Sequence, residues 1–198
     1  MVRGGLGGSL EVHAPVGVCR LPGPRAAGCG PPIAGAWRLP ARSPEEKRMS
    51  TQFEAVIDID RPIEEVFAYL ADGRHDPEFS PRVLRIDKRP EGATQVGTVF
   101  HSTVKDAGMK SERDFEISEM TAPTRVRWRE VSHNTITARE GGYDLEPTAD
   151  GGTRVRLFNV LEGHGVGKLL LPLAAGAARK DAPAFGRRIK AAVEASAA

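Results

Sequence analysis

The chain has 198 residues, 40% of them hydrophobic and 27% charged, enough for one domain with a real core. Its formal charge of +2 is unevenly split: residues 1–48 hold 7 Lys/Arg against 3 Asp/Glu, which leaves 21 against 23 for residues 49–198. The globular part is therefore not basic and asks for neither nucleic acid nor an anionic membrane, and no run approaches the roughly 18–20 apolar residues of a stable membrane insertion.

Residues 1–48 contain 9 Gly and 7 Pro, both cysteines (Cys19 and Cys29) and no hydrophobic period. That composition cannot offset its ordering entropy, so an unfolded extension is expected. It lacks the apolar centre of a secretory signal. It is Arg-rich and acid-poor like a transit peptide, but its Gly and Pro prevent an amphipathic helix. A Cys19–Cys29 disulfide would have no core around it. Met49 opens a stretch that reads as a complete domain, and codons for Glu45-Glu46-Lys47 can spell a purine-rich ribosome-binding sequence ahead of it. Two readings stay open: a disordered arm on a domain of residues 49–198, or translation that starts at Met49. The intact mass of the native protein separates them. The domain itself has no cysteine, which fits a reducing cytoplasm.

From Met49 the elements follow in order. Phe53, Ala55, Ile57 and Ile59 alternate with Glu54, Asp58 and Asp60, a half-buried strand. Pro62 opens a helix with one apolar face, Ile63, Val66, Phe67 and Leu70; Glu64 and Glu65 sit in its first turn and Asp72-Gly73 closes it. A second helical piece is expected over Asp76–Ser80. Six strands follow, over Val83–Lys88, Val96–Lys105, Ser111–Met120, Arg125–His133, Thr135–Glu146 and Thr153–Glu162. Polar-out alternation makes them antiparallel with one wet face. The last stretch, Gly163 to Ala198, is the one long helix. Pro183 and Gly176 predict a division at Arg179–Pro183, with a rigid second half around Phe185, Ile189 and Val193. The first half is then a loosely held wall over a cavity mouth.

This α+β order resembles the START-like superfamily known as SRPBCC, in its polyketide cyclase/dehydrase-like branch. The residues that carry the resemblance are the run Ile59–Asp72, Val96-Gly97-Thr98-Val99-Phe100, Gly151-Gly152-Thr153-Arg154-Val155 and Gly186–Glu194. It extends over essentially all of 52–195. It implies a helix-grip fold: a curved seven-stranded antiparallel sheet wrapped around the C-terminal helix, with an apolar cavity between them. Family members bind lipids, hormones or polyketides, and some catalyse cyclisation. Phe79 stands where the family often has Trp, and Pro183 interrupts a helix that the family usually continues.

Pairing strands through their turns sets Ile117 opposite Val126, Phe115 opposite Trp128 and Arg113 opposite Glu130; the Gly151 hairpin sets Leu145 opposite Val155, Tyr143 opposite Leu157 and Gly141 opposite Asn159. The inner face then carries an apolar band with an Arg113–Glu130–Arg139 cluster toward one end. That cluster either orients a polar ligand group or is a salt-bridged rim. Tyr143 and Asn159 either bind a ligand oxygen or bond each other. The expected ligand wall is Phe79, Phe100, Phe115, Trp128, Tyr143, Leu157, Asn159, Leu170 and Leu173, and the catalytic candidates are Glu130, Arg113, Arg139 and Tyr143. His75, His101, His133 and His164 lie on separate elements, which argues against a metal site, and His75-Asp76 reads as a solvated dyad. No serine or cysteine elbow occurs, and Glu162 and Leu169 break the phosphate-loop spacing around Gly167-Lys168. No cofactor is expected, and oligomeric state is left open. The leading expectation is a binder of a small hydrophobic molecule, with a cyclase/dehydratase-type enzyme and a protein–protein module as alternatives.

Overall fold

The computed structural model describes residues 50–106 and 108–196. The expectations for the extension, for Met49 and for Cys19–Cys29 lie outside these residues. Ten elements and one short 3-10 turn follow in chain order: β1 (Ser50–Ile59), α1 (Ile63–Ala71), the turn Gly73–His75, α2 (Asp76–Phe79), β2 (Val83–Arg89), β3 (Val99–Asp106), β4 (Met109–Thr121), β5 (Arg125–Glu130), β6 (Ile136–Pro147), β7 (Thr153–Gly163) and α3 (Gly167–Ser196).

The seven strands form one antiparallel sheet in the order β1-β7-β6-β5-β4-β3-β2, as the expected helix-grip fold requires. One end of the sheet gathers Ser50, Val83, Met109, Glu130, Ile136 and Gly163; the opposite end gathers Ile59, Arg89, Val99, Thr121, Arg125 and Thr153. They are called here the open end and the closed end. Helix α3 starts at the open end. It finishes at the closed end, where the Glu194 carboxylate accepts from the Asp60 N–H at 2.9 Å and Arg61 donates to the Glu194 carbonyl.

The core fills the space between the sheet and the helices. Ile57, Ile59, Ile117, Val126, Leu145, Val155 and Leu157 from the sheet meet Val66, Phe67 and Leu70 of α1 and Ile189 and Val193 of α3. These are the alternate positions of each strand and one face of each helix, so the binary pattern of the sequence positions them. A side chain at position 186 would collide with Ile57, so glycine there lets α3 lie close on β1.

The pairing of β6 with β7 is the expected one: Leu145 meets Val155, Tyr143 meets Leu157 and Gly141 meets Asn159. The pairing of β4 with β5 is not. Phe115 pairs with Glu130, Ile117 with Trp128 and Met120 with Val126: the hairpin closes at Thr121–Arg125, about three residues off the expected register, and a bulge between Ile117 and Glu119 takes one of them back. Beyond the bulge the offset is an even number of residues, so the side chains toward the open end keep their face, while Met120 on the turn side of the bulge comes to the core face. Strand β3 begins at Val99 rather than Val96, since Gly97 adopts φ 88° and the Thr98 N–H turns back onto the Gln95 carbonyl. The expected division of the last helix is also absent. Helix α3 runs unbroken from Gly167 to Ser196 with Pro172 and Pro183 inside it. Both prolines are exposed, and packing of Ala182, Gly186, Ile189 and Val193 holds the axis across the lost hydrogen bonds.

Candidate functional site

Burial along the concave face changes from one end to the other. Toward the closed end it is solid core. Toward the open end Phe53, Phe115, Trp128, Asn159 and Leu161 stay half-buried although they share the face of the core residues. Solvent therefore reaches this part of the concave face, and the side chains it reaches are mostly aromatic or aliphatic. Trp128 sits edge-on to Tyr143 with ring centroids 5.0 Å apart and donates its indole N–H to the Asn159 side-chain oxygen at 3.3 Å. Gly141 makes this contact available: a Cβ there would fall on the Trp128 indole nitrogen and the Asn159 oxygen. Tyr143 and Asn159 thus do not bond each other; Asn159 serves the tryptophan.

The rest of the expected wall divides in two. Phe79, Phe100 and Leu157 are buried in the core, Phe79 against Phe185 at 5.8 Å and Tyr69 at 6.5 Å. Leu170 and Leu173 turn outward, 50% and 76% exposed, because α3 lays Leu171 and Ala175 against the sheet instead. The apolar stripe read from the sequence is real, but it is the outer of two stripes on this half of the helix.

The acid–base candidates change rank in the same way. The Glu130 side chain is 0% exposed and its carboxylate is fully engaged. It accepts from Arg113 at 3.0 Å, Ser132 at 2.9 Å, Asn134 at 2.8 Å and the Ala138 N–H at 2.7 Å. These bonds end β5 at Glu130, three residues short of the expected strand end, and curl the β5–β6 loop around the carboxylate. Glu130 is a loop anchor with no lone pair left for a ligand proton. Arg139 is exposed at the bulge between Ala138 and Glu140. With Glu130, His133, Thr137 and His164 it lines a polar pocket of about 620 Å³ at the open end.

A carboxyl that the sequence marks only as part of a solvated dyad stands in a different setting. Asp76 opens α2 on the inner side of the turn that follows α1. The residue keeps some solvent access, yet protein surrounds the carboxyl closely enough that burial pushes its pKa up to about 7, the negative charge of Asp72 adding to the effect. The carboxyl makes no hydrogen bond among the described residues. Its charge acts on Tyr143 on the facing sheet: burial first, then Asp76 and Tyr69, push the Tyr143 hydroxyl well above its ordinary pKa. His75 stays partly exposed but has partners. Its ring stacks on Tyr69 at 4.2 Å and bonds Glu78 at 2.8 Å, while the Tyr69 hydroxyl donates to the same carboxylate at 2.7 Å.

Asp72, four residues earlier, shows the opposite behaviour. Burial alone would raise its pKa, but hydrogen bonds from Arg74 and from Lys88, at 2.9 Å, outweigh it and hold the carboxyl well below the usual range. The buried Lys88 thereby pins the end of α1 to β2. The outer face of the sheet carries a second buried ionic group: Asp144 accepts from Arg127 at 2.5 Å and Arg156 at 3.4 Å, and both guanidiniums stack on Phe158. Its partners are all protein groups, and it braces β5, β6 and β7.

This geometry has known counterparts. A family model described as polyketide cyclase / dehydrase and lipid transport matches residues 50–194. The chain belongs to that family. No curated protein matches it in sequence. Among solved structures, the family member is similar to TTHA0849 from Thermus thermophilus, with 18% identity over 75% of this chain and 100% of that one and a TM-score of 0.62. A START superfamily protein from Mycobacterium smegmatis gives 11% identity, 72% and 97% coverage and 0.60. The Zhui aromatase/cyclase from a Streptomyces species, R1128, gives 15% identity, 75% and 93% coverage and 0.59. At these identities the likeness is one of fold. Family and fold point to hydrophobic-ligand binding or to polyketide cyclase activity without deciding between them.

Proposed function

We propose that this domain binds a small, largely apolar molecule, lipid- or polyketide-like, between the open end of the concave sheet and α3. The observation that carries the reading is the change along one face from sealed core to the half-buried Phe53, Phe115, Trp128 and Leu161. An apolar face that the fold covers but does not fill is what a ligand completes. Tyr143 and Asp76 then supply a polar contact to a ligand oxygen at the inner limit of the space. The test is displacement of 1-anilinonaphthalene-8-sulfonate by a long-chain fatty acid and by an aromatic polyketide, with Trp128 emission followed and a Trp128→Phe control to separate it from Trp37. Saturable displacement at one site per chain is expected. Probe binding that neither compound displaces sinks the reading.

A cyclase or dehydratase activity is the second reading, and Asp76 is what favours it. A carboxyl that titrates near neutrality can take a proton from the carbon beside a ligand carbonyl and return it to a departing hydroxide, and Tyr143 can donate to the carbonyl oxygen as charge develops there. The proton stays on Asp76 between the two events, so the sequence needs no other acid or base. An Asp76→Asn protein that binds ligand normally but no longer converts a poly-β-keto substrate supports this; equal turnover by both proteins removes it.

A further inference from the structure

Nine large apolar side chains are well exposed among the described residues, and seven of them lie at the open end. Four are on the first turns of α3 and just before it: Val166, Leu169, Leu170 and Leu173, at 68%, 83%, 50% and 76% exposure. Their spacing of three, four and seven residues makes one stripe, on the side of the helix opposite the buried Leu171 and Ala175. Val131 of the β5–β6 loop, Met109 of the β3–β4 turn and Leu84 at the start of β2 extend the apolar surface across the same end. Chance does not gather most of a domain's exposed apolar bulk at the one end where its interior opens.

The domain as a whole is not basic and by its overall charge asks for no anionic membrane, but the charges around this surface have one predominant sign. No acid occurs between Glu162 and Asp181, while Lys168 and Lys180 are exposed there, Lys180 one heptad beyond Leu173 on the same stripe. Lys105 and Lys110 flank the β3–β4 turn, and the nearby Glu112 is engaged by Thr103 and His101. Apolar residues that protrude from a ring of lysines match the acyl region and the anionic headgroups of a bilayer. A second copy seated on the stripe about a twofold axis would instead bring Lys168 and Lys180 toward their own images.

We propose that the open end is a membrane-docking surface: Leu169, Leu170 and Leu173 of α3 enter the headgroup–acyl boundary of an anionic bilayer, with Lys168 and Lys180 on its phosphates. Docking there sets the entrance of the interior space against the lipid, so an apolar ligand passes between bilayer and protein without crossing water. No element has to span the membrane, and none of the described helices is long and apolar enough to do so.

Vesicle flotation of the full chain tests this. The protein floats with vesicles of phosphatidylcholine and phosphatidylglycerol in a 7:3 ratio, less with phosphatidylcholine alone, and less again in high salt. The pair Leu169→Asp and Leu173→Asp lowers the partition coefficient by about tenfold or more. Both positions are exposed, so the variant keeps the wild-type thermal midpoint. Lys168→Glu with Lys180→Glu removes the preference for phosphatidylglycerol. Flotation that survives the leucine changes overturns the proposal, because attachment then lies elsewhere on the chain. So does a protein that floats with neither vesicle, including one whose dimer the leucine variant dissolves. Ligand displacement measured without vesicles is a separate readout, so failure of the docking surface and failure of the binding reading are told apart.

Discussion

Asp76 offers the sharpest test of the interior. In the unfolded chain its carboxyl releases its proton near the ordinary 3.8, whereas in the fold it holds the proton up to about 7. Folding therefore takes up a proton between those two values. The stability Asp76 contributes is highest below pH 3.8, falls as pH rises toward 7 and is constant above it. Holding the ionised form in the fold costs up to about 4 kcal/mol at about 1.4 kcal/mol per pH unit, and the water that reaches the side chain reduces that to about 2–4 kcal/mol. Asp76→Asn removes the ionisation and nearly keeps the shape. Urea unfolding of both proteins at intervals from about pH 4 to about pH 8 gives the comparison, since titrations shared by the two proteins cancel in the difference. The variant should match the wild type at the acid end and exceed it by about 2–4 kcal/mol at the alkaline end. Two stability curves that run parallel across the range refute the reasoning: the carboxyl would then be hydrated, and its place as the acid–base group of the space between sheet and helix would go with it.

Three further expectations follow from named contacts. Gly141→Ala drives a methyl group into the Trp128–Asn159 hydrogen bond, so it should cost about 1–3 kcal/mol in chemical denaturation and shift the Trp128 emission maximum. An unchanged spectrum contradicts the close approach. Glu130→Gln replaces a buried carboxylate that has four kinds of donor around it and should cost about 3 kcal/mol or more, with displacement of bound probe little changed in the protein that remains folded. A loss of ligand affinity without a loss of stability would return Glu130 to the site. Amide exchange along α3 should be faster over residues 168–180, where Leu171 and Ala175 alone are buried, than over 182–193, where Ala182, Gly186, Ile189 and Val193 are buried. Uniform protection would show that the outer half is held as firmly as the inner.

Local residue patterns are enough for the elements and their faces. Alternation of Phe53, Ala55, Ile57 and Ile59 fixes which side of β1 is inside, since side chains on a strand have a period of two whatever surrounds them. The Gly151 turn fixes the β6–β7 register for a similarly local reason: a tight hairpin leaves no residue to spare. The rest depends on long-range contacts, because the distances that settle it join residues far apart in the chain. The β4–β5 hairpin closes at Thr121–Arg125, and a bulge within the strand pair changes its register again, neither of which the turn residues announce. The packing that carries α3 straight through Pro183 comes from β1, more than a hundred residues upstream. Leu170 and Leu173 have the spacing of a core stripe, and helical period alone cannot say which of two apolar stripes faces the sheet. Glu130 and Asp76 are both acids on or near the inner side, and no local pattern separates them. Four donors, from Arg113 to Ala138, converge on Glu130 and engage it, while among the described residues none reaches Asp76, which the sequence marked only as half of a solvated dyad.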